Sequence, residues 1–404
     1  MRKIVLATLL FLMVPAIYGQ GDRGISKDSL SPALMNSAEK LLATEGRLLI
    51  GGYGEVHFNQ QIGKEMQYNG ILDVHRLVLL FGYRFSKRWQ FISEIEFEHV
   101  KEVFVEQAFL QYKATSFLNI RGGLMLIPMG IINEYHEPTA FLGVERPLVD
   151  KYLVPTTWRE IGVGVTGTVF PASLRYQFFV MNGLNSFDGK KTLSGTGLRK
   201  GRQKGAIASM SSLNFAGRIS YFGVRGLNVG LSAYFGKTGS SLFEGLDKAN
   251  VFETVRADSS IVGVMMWGGD VRYSLKGFQW RGQFYYTRLS NTLQYNYFNV
   301  GNGLPGDLGK SMEGFYVEMG YNIFRLSKTI KSVLMPFVRY SILDTQRTVA
   351  QGIDKNPAFH IRVITVGFSW KPVKGVVLKS DVQFFKTASD DNSTLFNAGI
   401  GFMF

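Results

Sequence analysis

From residue 48 to its last residue the chain alternates apolar and polar side chains with a period of two. In the stretch 89–98, Trp89, Phe91, Ile95 and Phe97 fall on one face, and Gln90, Glu94, Glu96 and Glu98 on the other. Successive strand side chains point to opposite sides, so such a segment turns one face to oil and one to water. The split recurs with Leu174, Tyr176, Phe178 and Val180 against Arg175 and Gln177. It returns with Phe278, Trp280, Phe284 and Tyr286 against Gln279, Arg281 and Gln283. Sixteen segments follow: 48–58, 72–85, 89–99, 103–114, 117–127, 158–170, 173–183, 213–223, 227–237, 261–275, 278–290, 313–326, 331–343, 359–371, 376–387 and 395–404.

The connections carry as much information as the strands. Tight turns such as 86–88, 115–116, 171–172 and 276–277 alternate with connections at the other end. Most of those are long: 59–71, 128–157, 184–212, 238–260, 291–312 and 344–358. An even strand number with short turns at one end and long loops at the other is the pattern of a transmembrane antiparallel β-barrel of the outer-membrane type. The expected fold is therefore all-β, with about 16 strands, short periplasmic turns and long extracellular loops. Composition agrees. Glycine at 46 of 404 residues and 14% aromatics suit strands and turns, and the hydrophobic fraction of 46% excludes a disordered chain. Beyond the N-terminus no predominantly apolar run reaches the ~18 residues of a membrane helix; the uncharged stretch 289–306 is rich in Asn, Gln, Ser and Gly.

The N-terminus sets the expected compartment. Arg2 and Lys3 precede an uncharged stretch from Ile4 to Ile17, and Gly19 offers a small residue before the cut. This reads as a secretory signal peptide over 1–19. An N-terminal periplasmic segment over 20–47, with a short helix within 31–45, leads into the barrel at 48–404. The chain carries 45 Lys plus Arg against 31 Asp plus Glu. In an exported protein such basicity points to anionic solutes or lipopolysaccharide, not to nucleic acid.

Charge placement fits a lipid-facing surface. Arg159, Lys237, Arg288, Arg325, Arg362, Lys374 and Lys386 have lipid-facing parity, and all sit near strand ends. There a basic residue costs ~0–1 kcal/mol, against ~2–4 at the bilayer midplane. Tyr83, Phe85, Trp89, Trp280, Trp370 and Phe404 also lie towards strand ends, as an aromatic girdle requires. Only 103–114 has two equally mixed faces and cannot be oriented.

Several stretches carry a family resemblance. They are Ile120-Arg121-Gly122-Gly123 leading to Pro128-Met129-Gly130, Ile161-Gly162-Val163, and Met181-Asn182-Gly183. Ala216 to Tyr221, Gly230 to Ala233, Gly269 to Tyr273 and Pro336 to Tyr340 follow in order. Over roughly 50–404 the chain resembles the phosphate-selective porin O and P family of Gram-negative outer membranes. The resemblance implies a passive, homotrimeric channel of sixteen strands for small hydrophilic or anionic solutes. It makes the loop 128–157 the constriction, and Phe404 a C-terminal signal for the barrel assembly machinery. The loop shows no motif matching the family's phosphate-binding residues, so none is transferred.

Inward parity gives the pore-lining anion candidates Arg76, Arg84, Arg121, Arg175, Arg218, Arg272, Arg281, Arg339 and Lys379. The inward acids are Glu55, Glu94, Glu96, Glu98, Asp270, Glu318 and Asp381, with Glu94, Glu96 and Glu98 forming one acidic face. Arginine grips phosphate or carboxylate bidentately, but Arg–Glu pairs also simply hold a polar wall together. The constriction loop contributes Glu134, His136, Glu137, Glu145, Arg146, Asp150 and Lys151, a mixed set. Loop 184–212 is strongly basic, with six cations against Asp188, and its Gly and Ser content predicts a flexible segment.

Catalytic readings find little purchase. Without cysteine the chain has no thiolate metal site, disulfide or Cys nucleophile. The histidines His57, His75, His99, His136 and His360 show no metal spacing, and neither a phosphate-binding loop nor a Gly-x-Ser-x-Gly elbow occurs. No cofactor or metal is expected, and the chain reads as a non-enzyme. The alternatives are an outer-membrane lipase or protease barrel and a non-conducting surface barrel.

Overall fold

A computed structural model describes residues 35–63, 66–298 and 304–404. The expected signal peptide lies outside the described residues, as does most of the segment that follows it. Sixteen antiparallel strands close into one barrel, each paired with its sequence neighbours and the first with the last. They are β1 Leu48–Ile62, β2 Ile71–Arg84, β3 Trp89–Glu98, β4 Glu102–Lys113, β5 Asn119–Leu126, β6 Arg159–Val169, β7 Leu174–Met181 and β8 Asn214–Tyr221. Then come β9 Leu227–Lys237, β10 Gly263–Leu275, β11 Phe278–Ser290, β12 Ser311–Tyr321, β13 Val333–Thr348, β14 His360–Lys371, β15 Val376–Thr387 and β16 Asn392–Met403. Closure runs from Tyr53 opposite Met403 to Ile62 opposite Thr394 and leaves no open barrel edge.

The alternation becomes two surfaces. Val163, Ile219, Leu231 and Phe235 are exposed on the outside, whereas Tyr53, Val78, Glu94 and Tyr285 are buried on the inside. An apolar outside and a polar inside place the barrel in an outer membrane, with its tight turns at the periplasmic end. Some strand ends differ from expectation. β12 stops at Tyr321 because Asn322 caps a 3₁₀ turn over Ile323–Leu326, accepting from the Phe324 N–H at 3.2 Å. β13 runs on to Thr348, paired there with Ser311.

β4 is the strand whose parity could not be read, and a β-bulge explains it. Glu94 pairs with Gln107 and Ile95 with Val105, so Glu106 is the extra residue. Before the bulge Val103 and Val105 face outward; after it Leu110 does, while Glu106, Gln107, Phe109 and Gln111 are buried. One inserted residue exchanges the faces, so a single period fitted across the strand averages them.

Three other expectations change. Arg159 has lipid-facing parity yet is buried, its guanidinium 5.6 Å from the Phe104 ring centroid and its Nη1 donating to the Thr157 carbonyl at 3.2 Å. Loop 184–212 is built, not slack. Asn185–Asp188 pairs with Lys190–Lys191 and Gly239–Ser240, and Leu184, Phe187, Leu193 and Leu198 are buried. Apolar anchors spaced among its glycines tie it to Tyr295, whose hydroxyl donates to the Ser186 carbonyl at 2.8 Å. The N-terminal helix, α1, is confined to Ser37–Ala43 by a capping box. Asn36 Oδ1 accepts from the Glu39 N–H at 2.9 Å, and Glu39 Oε2 accepts from the Asn36 N–H at 3.3 Å. Ala38, Leu41 and Leu42 bury its apolar side at the turn end of the barrel.

Candidate functional site

The lumen is crossed by the loop between β5 and β6. Most of its residues are buried, which a surface loop could not achieve. Backbone groups reach the inner wall directly: the Gly130 N–H donates to the Tyr285 hydroxyl at 2.7 Å and the Ile131 N–H to Gln283 Oε1 at 2.8 Å. Four strands further round the wall, the Val144 N–H donates to Asp381 Oδ2 at 2.6 Å. The loop therefore spans from β11 to β15.

Charged groups complete the attachment. Arg218 holds Asp270 through two bonds of 2.6 and 2.9 Å, and its Nε lies 3.1 Å from Glu134 of the loop. Gln177 also donates to Glu134. Arg339 and Arg281 share Glu318, at 2.5 and 2.9 Å, and Arg339 Nη1 donates to the Glu145 carbonyl at 3.0 Å. Arg76 Nε donates to Glu55 at 2.6 Å, and its Nη2 donates to the His136 carbonyl. Lys379 donates to the Gly143 carbonyl at 3.0 Å, with its ammonium 3.6 Å from the Phe141 ring centroid.

Among the remaining pore-lining candidates, Arg175 pairs with Glu39 of α1, and Arg84 donates to carbonyls of Leu42, Thr44 and Gly46 at the helix end. Arg272 lies 3.9 Å from the Tyr135 ring centroid and donates to Asn228 at 3.2 Å. Arg121 differs from all these. It donates to Gln111 at 2.7 Å and stacks 5.0 Å from the Phe109 ring, but makes no ion pair among the described residues. Beside it a cavity of about 250 Å³ opens at the turn end, lined by Lys113, Arg121, Arg175 and Glu39. A larger cavity of about 880 Å³ lies under the outer loops, bordered by Lys200, Arg202, Lys237, Glu244 and Asp258.

The loop residues divide in the same way. Glu137 accepts from Lys40 of α1 at 3.0 Å; Glu145 accepts from Asn59 at 3.0 Å; Arg146 lies 3.8 Å from Glu55. Burial raises the Asp150 carboxyl to about 7, against a 3.0 Å hydrogen bond from Gln283 that favours its charge. Lys151 is exposed.

Glu94 and Glu106 together grip the loop at His136. His136 Nε2 lies 3.3 Å from a carboxylate oxygen of each, and its Nδ1 lies 3.0 Å from the Asn133 carbonyl. Both ring nitrogens thus face acceptors, an arrangement satisfied by the imidazolium. Burial disfavours that charge, but Glu106 and Glu94 outweigh it and hold the His136 pKa up at about 10. Glu96 reaches Arg76 at 3.9 Å. Sequence reasoning missed Glu106 because the bulge hid its direction, and Tyr53 because nothing marked a lone inward tyrosine. Its hydroxyl donates to Glu94 at 2.6 Å.

With this geometry in view, the relatives can be placed. No protein-family model matches the chain. A protein of Aquifex aeolicus, described as uncharacterized, is 32% identical over 386 residues, covering 91% of this chain and 82% of that one. The two belong to one family. Solved barrels share the fold at much lower identity. Salmonella typhi OmpF, solved in complex with daunomycin, is 13% identical, with 88% and 97% coverage of this chain and that one and a TM-score of 0.59. The outer membrane channel DcaP of Acinetobacter baumannii is 12% identical, with 88% and 97% coverage and a TM-score of 0.54. An anion-selective porin from Comamonas acidovorans is 12% identical, with 89% and 100% coverage and a TM-score of 0.53. These likenesses establish a porin fold for the Aquifex-related family.

Proposed function

We propose that the protein is a passive outer-membrane channel for small hydrophilic solutes, narrowed by the loop 128–157 and mildly favouring anions, phosphate among them. The observation that carries this reading is a sixteen-strand barrel crossed by its own loop at several points on the inner wall. Such a loop reduces the bore of a wide barrel to that of a small solute. The anion preference rests on Arg121 and on the exposed Lys190 and Lys200 of the outer loop, whose charges are not cancelled by ion pairs. The resemblance to the porin O and P family supports phosphate, a homotrimer, and assembly through Phe404. The basic outer loop suits lipopolysaccharide phosphates as a surface contact. Nothing in the lumen requires catalysis.

Conductance in planar bilayers, with the reversal potential in a KCl gradient, tests the reading. Ohmic steps and a reversal potential of anion-selective sign are expected. Cation selectivity would overturn the preference. A second reading is favoured by the burial of nearly all the wall charges: a barrel that conducts poorly until the loop or α1 moves. Absence of ohmic steps would select it.

A further inference from the structure

Three of the five histidines in the chain, separated by 18 and 24 positions, form one row near the outer end of the barrel. The β1–β2 register sets His57 opposite Asp73, and the His99 N–H donates to the His75 carbonyl at 3.3 Å. The His57 and His75 rings stack with centroids 4.5 Å apart at 12°, and His75 meets His99 edge-on at 5.4 Å. His57 is already engaged, with Nε2 3.2 Å from Glu55 and Nδ1 3.7 Å from Glu145. His75 and His99 instead direct the same atom towards one oxygen. Their Nδ1 atoms lie 3.4 and 2.7 Å from Asp73 Oδ2, and the three atoms all fall within 4.8 Å of one another.

We propose that Asp73, His75 and His99 form a binding site for a divalent transition cation of the zinc class at the outer mouth of the barrel. Two imidazoles and one carboxylate select Zn²⁺, Ni²⁺ or Cu²⁺ over Mg²⁺ and Ca²⁺, which prefer sets of oxygen ligands. Bonds of ~2.0–2.2 Å at tetrahedral angles set ligand atoms roughly 3.3 Å apart, so small side-chain rotations would seat the ion. The other nitrogen of His99 lies 3.9 Å from Glu98, an electrostatic neighbour beyond hydrogen-bond range. His99 and Val100 hold left-handed backbone, φ +52° and +63°, an unfavourable state for a β-branched residue. This tight hairpin aims the His99 ring back at Asp73. Access separates the site from the buried ion pairs below it: the His99 side chain is 46% exposed, His75 25% and Asp73 24%. Three ligands leave a coordination position for water or an anionic solute arriving from outside.

The competing account makes Asp73 only an acceptor for two imidazole N–H groups. Calorimetric titration of the full-length protein in detergent, with ZnCl₂ and then MgCl₂, separates the two. One Zn²⁺ per chain and no Mg²⁺ binding are expected. His99→Ala and Asp73→Asn should each weaken Zn²⁺ by more than the ~10–100-fold cost of losing an outer partner. His360→Ala, on another strand, should leave it unchanged. Because the chain contains no cysteine, His99→Cys supplies a signal that does not depend on lost binding. With Co²⁺ it should show a thiolate charge-transfer band. The proposal fails if wild-type protein binds no Zn²⁺, if His99→Ala and Asp73→Asn bind as wild type, or if His99→Cys shows no band. None of these readings requires the barrel to conduct.

Discussion

Arg121 and Arg218 share inward parity and both were candidates for attracting anions, yet their surroundings give them different work. Arg218 lies among two carboxylates, with a bidentate bond to Asp270 and Glu134 at 3.1 Å. Its field beyond those partners is largely cancelled. Removing one member of a buried pair costs ~3–5 kcal/mol, chiefly because the other charge is left stranded. Arg121 has an amide and a phenyl face for company and keeps its field. Arg121→Gln is therefore expected to lower the anion-to-cation permeability ratio with little loss of barrel stability. Arg218→Gln should destabilise the loop while leaving selectivity nearly unchanged. Reversal potentials and thermal unfolding of both variants check this; a larger selectivity loss from Arg218 would refute it. Sequence parity showed that Arg121 and Arg218 face inward, although it misplaced Arg159 at a strand end. It could not show which are neutralised, because Asp270 and Glu134 reach Arg218 from β10 and from a loop 84 residues upstream.

Elements were legible to the extent that one period described them. Most strands keep a single alternation over most of their length, so their faces could be read from the residues. The bulges at His75 in β2 and near the Thr348 end of β13 fall close to strand ends and leave the longer part in one phase. β4 could not, because Glu106 changes the phase midway. The same residue then helps to clamp the loop. His136 sits between Glu94 and Glu106, close to Tyr53, and its pKa of about 10 lies above the ordinary value of 6.5. A base whose pKa is raised on docking stabilises the docked state fully below 6.5, and that stabilisation disappears as pH rises through 10. Asp150 acts in the same direction at lower pH. Its carboxyl, raised from 3.8 to about 7 by burial, makes docking progressively costlier from pH 3.8 to 7, and His136 alone carries the response above that. Loop attachment is thus expected to weaken progressively from neutral pH towards 10. Single-channel records between pH 6 and 10 should show rising open-channel noise or conductance. His136→Gln should flatten the part of the response above pH 7; an unaltered profile in that variant would remove His136 from the clamp.

At the scale of the whole molecule, the net charge of +14 is a poor guide to what the channel favours, because location decides how far each charge is felt. Glu106 adds another acid to a lumen in which arginines were already matched by carboxylates. The outer loop 184–212 uses several of its cations structurally. Lys191 donates to the Asn296 carbonyl at 2.8 Å, Arg202 to Thr157 Oγ1 at 3.0 Å, and Lys204 lies 3.9 Å from the Phe104 ring centroid. Lys190 and Lys200 remain exposed and act through water. Charges in water are screened beyond about 10 Å at 0.1 M salt and about 3 Å at 1 M, whereas a partly buried charge on the inner wall, such as Arg121, is screened much less. Salt therefore divides the two sources of selectivity. If the mouth dominates, the anion-to-cation ratio should fall towards one between 0.1 and 1 M KCl, and Lys190→Gln with Lys200→Gln should reproduce that fall at low salt. If Arg121 dominates, the ratio should persist in 1 M KCl and disappear only in Arg121→Gln. A ratio that persists in both the loop and the bore variants would assign the preference to neither, and would count against the anion reading of this barrel.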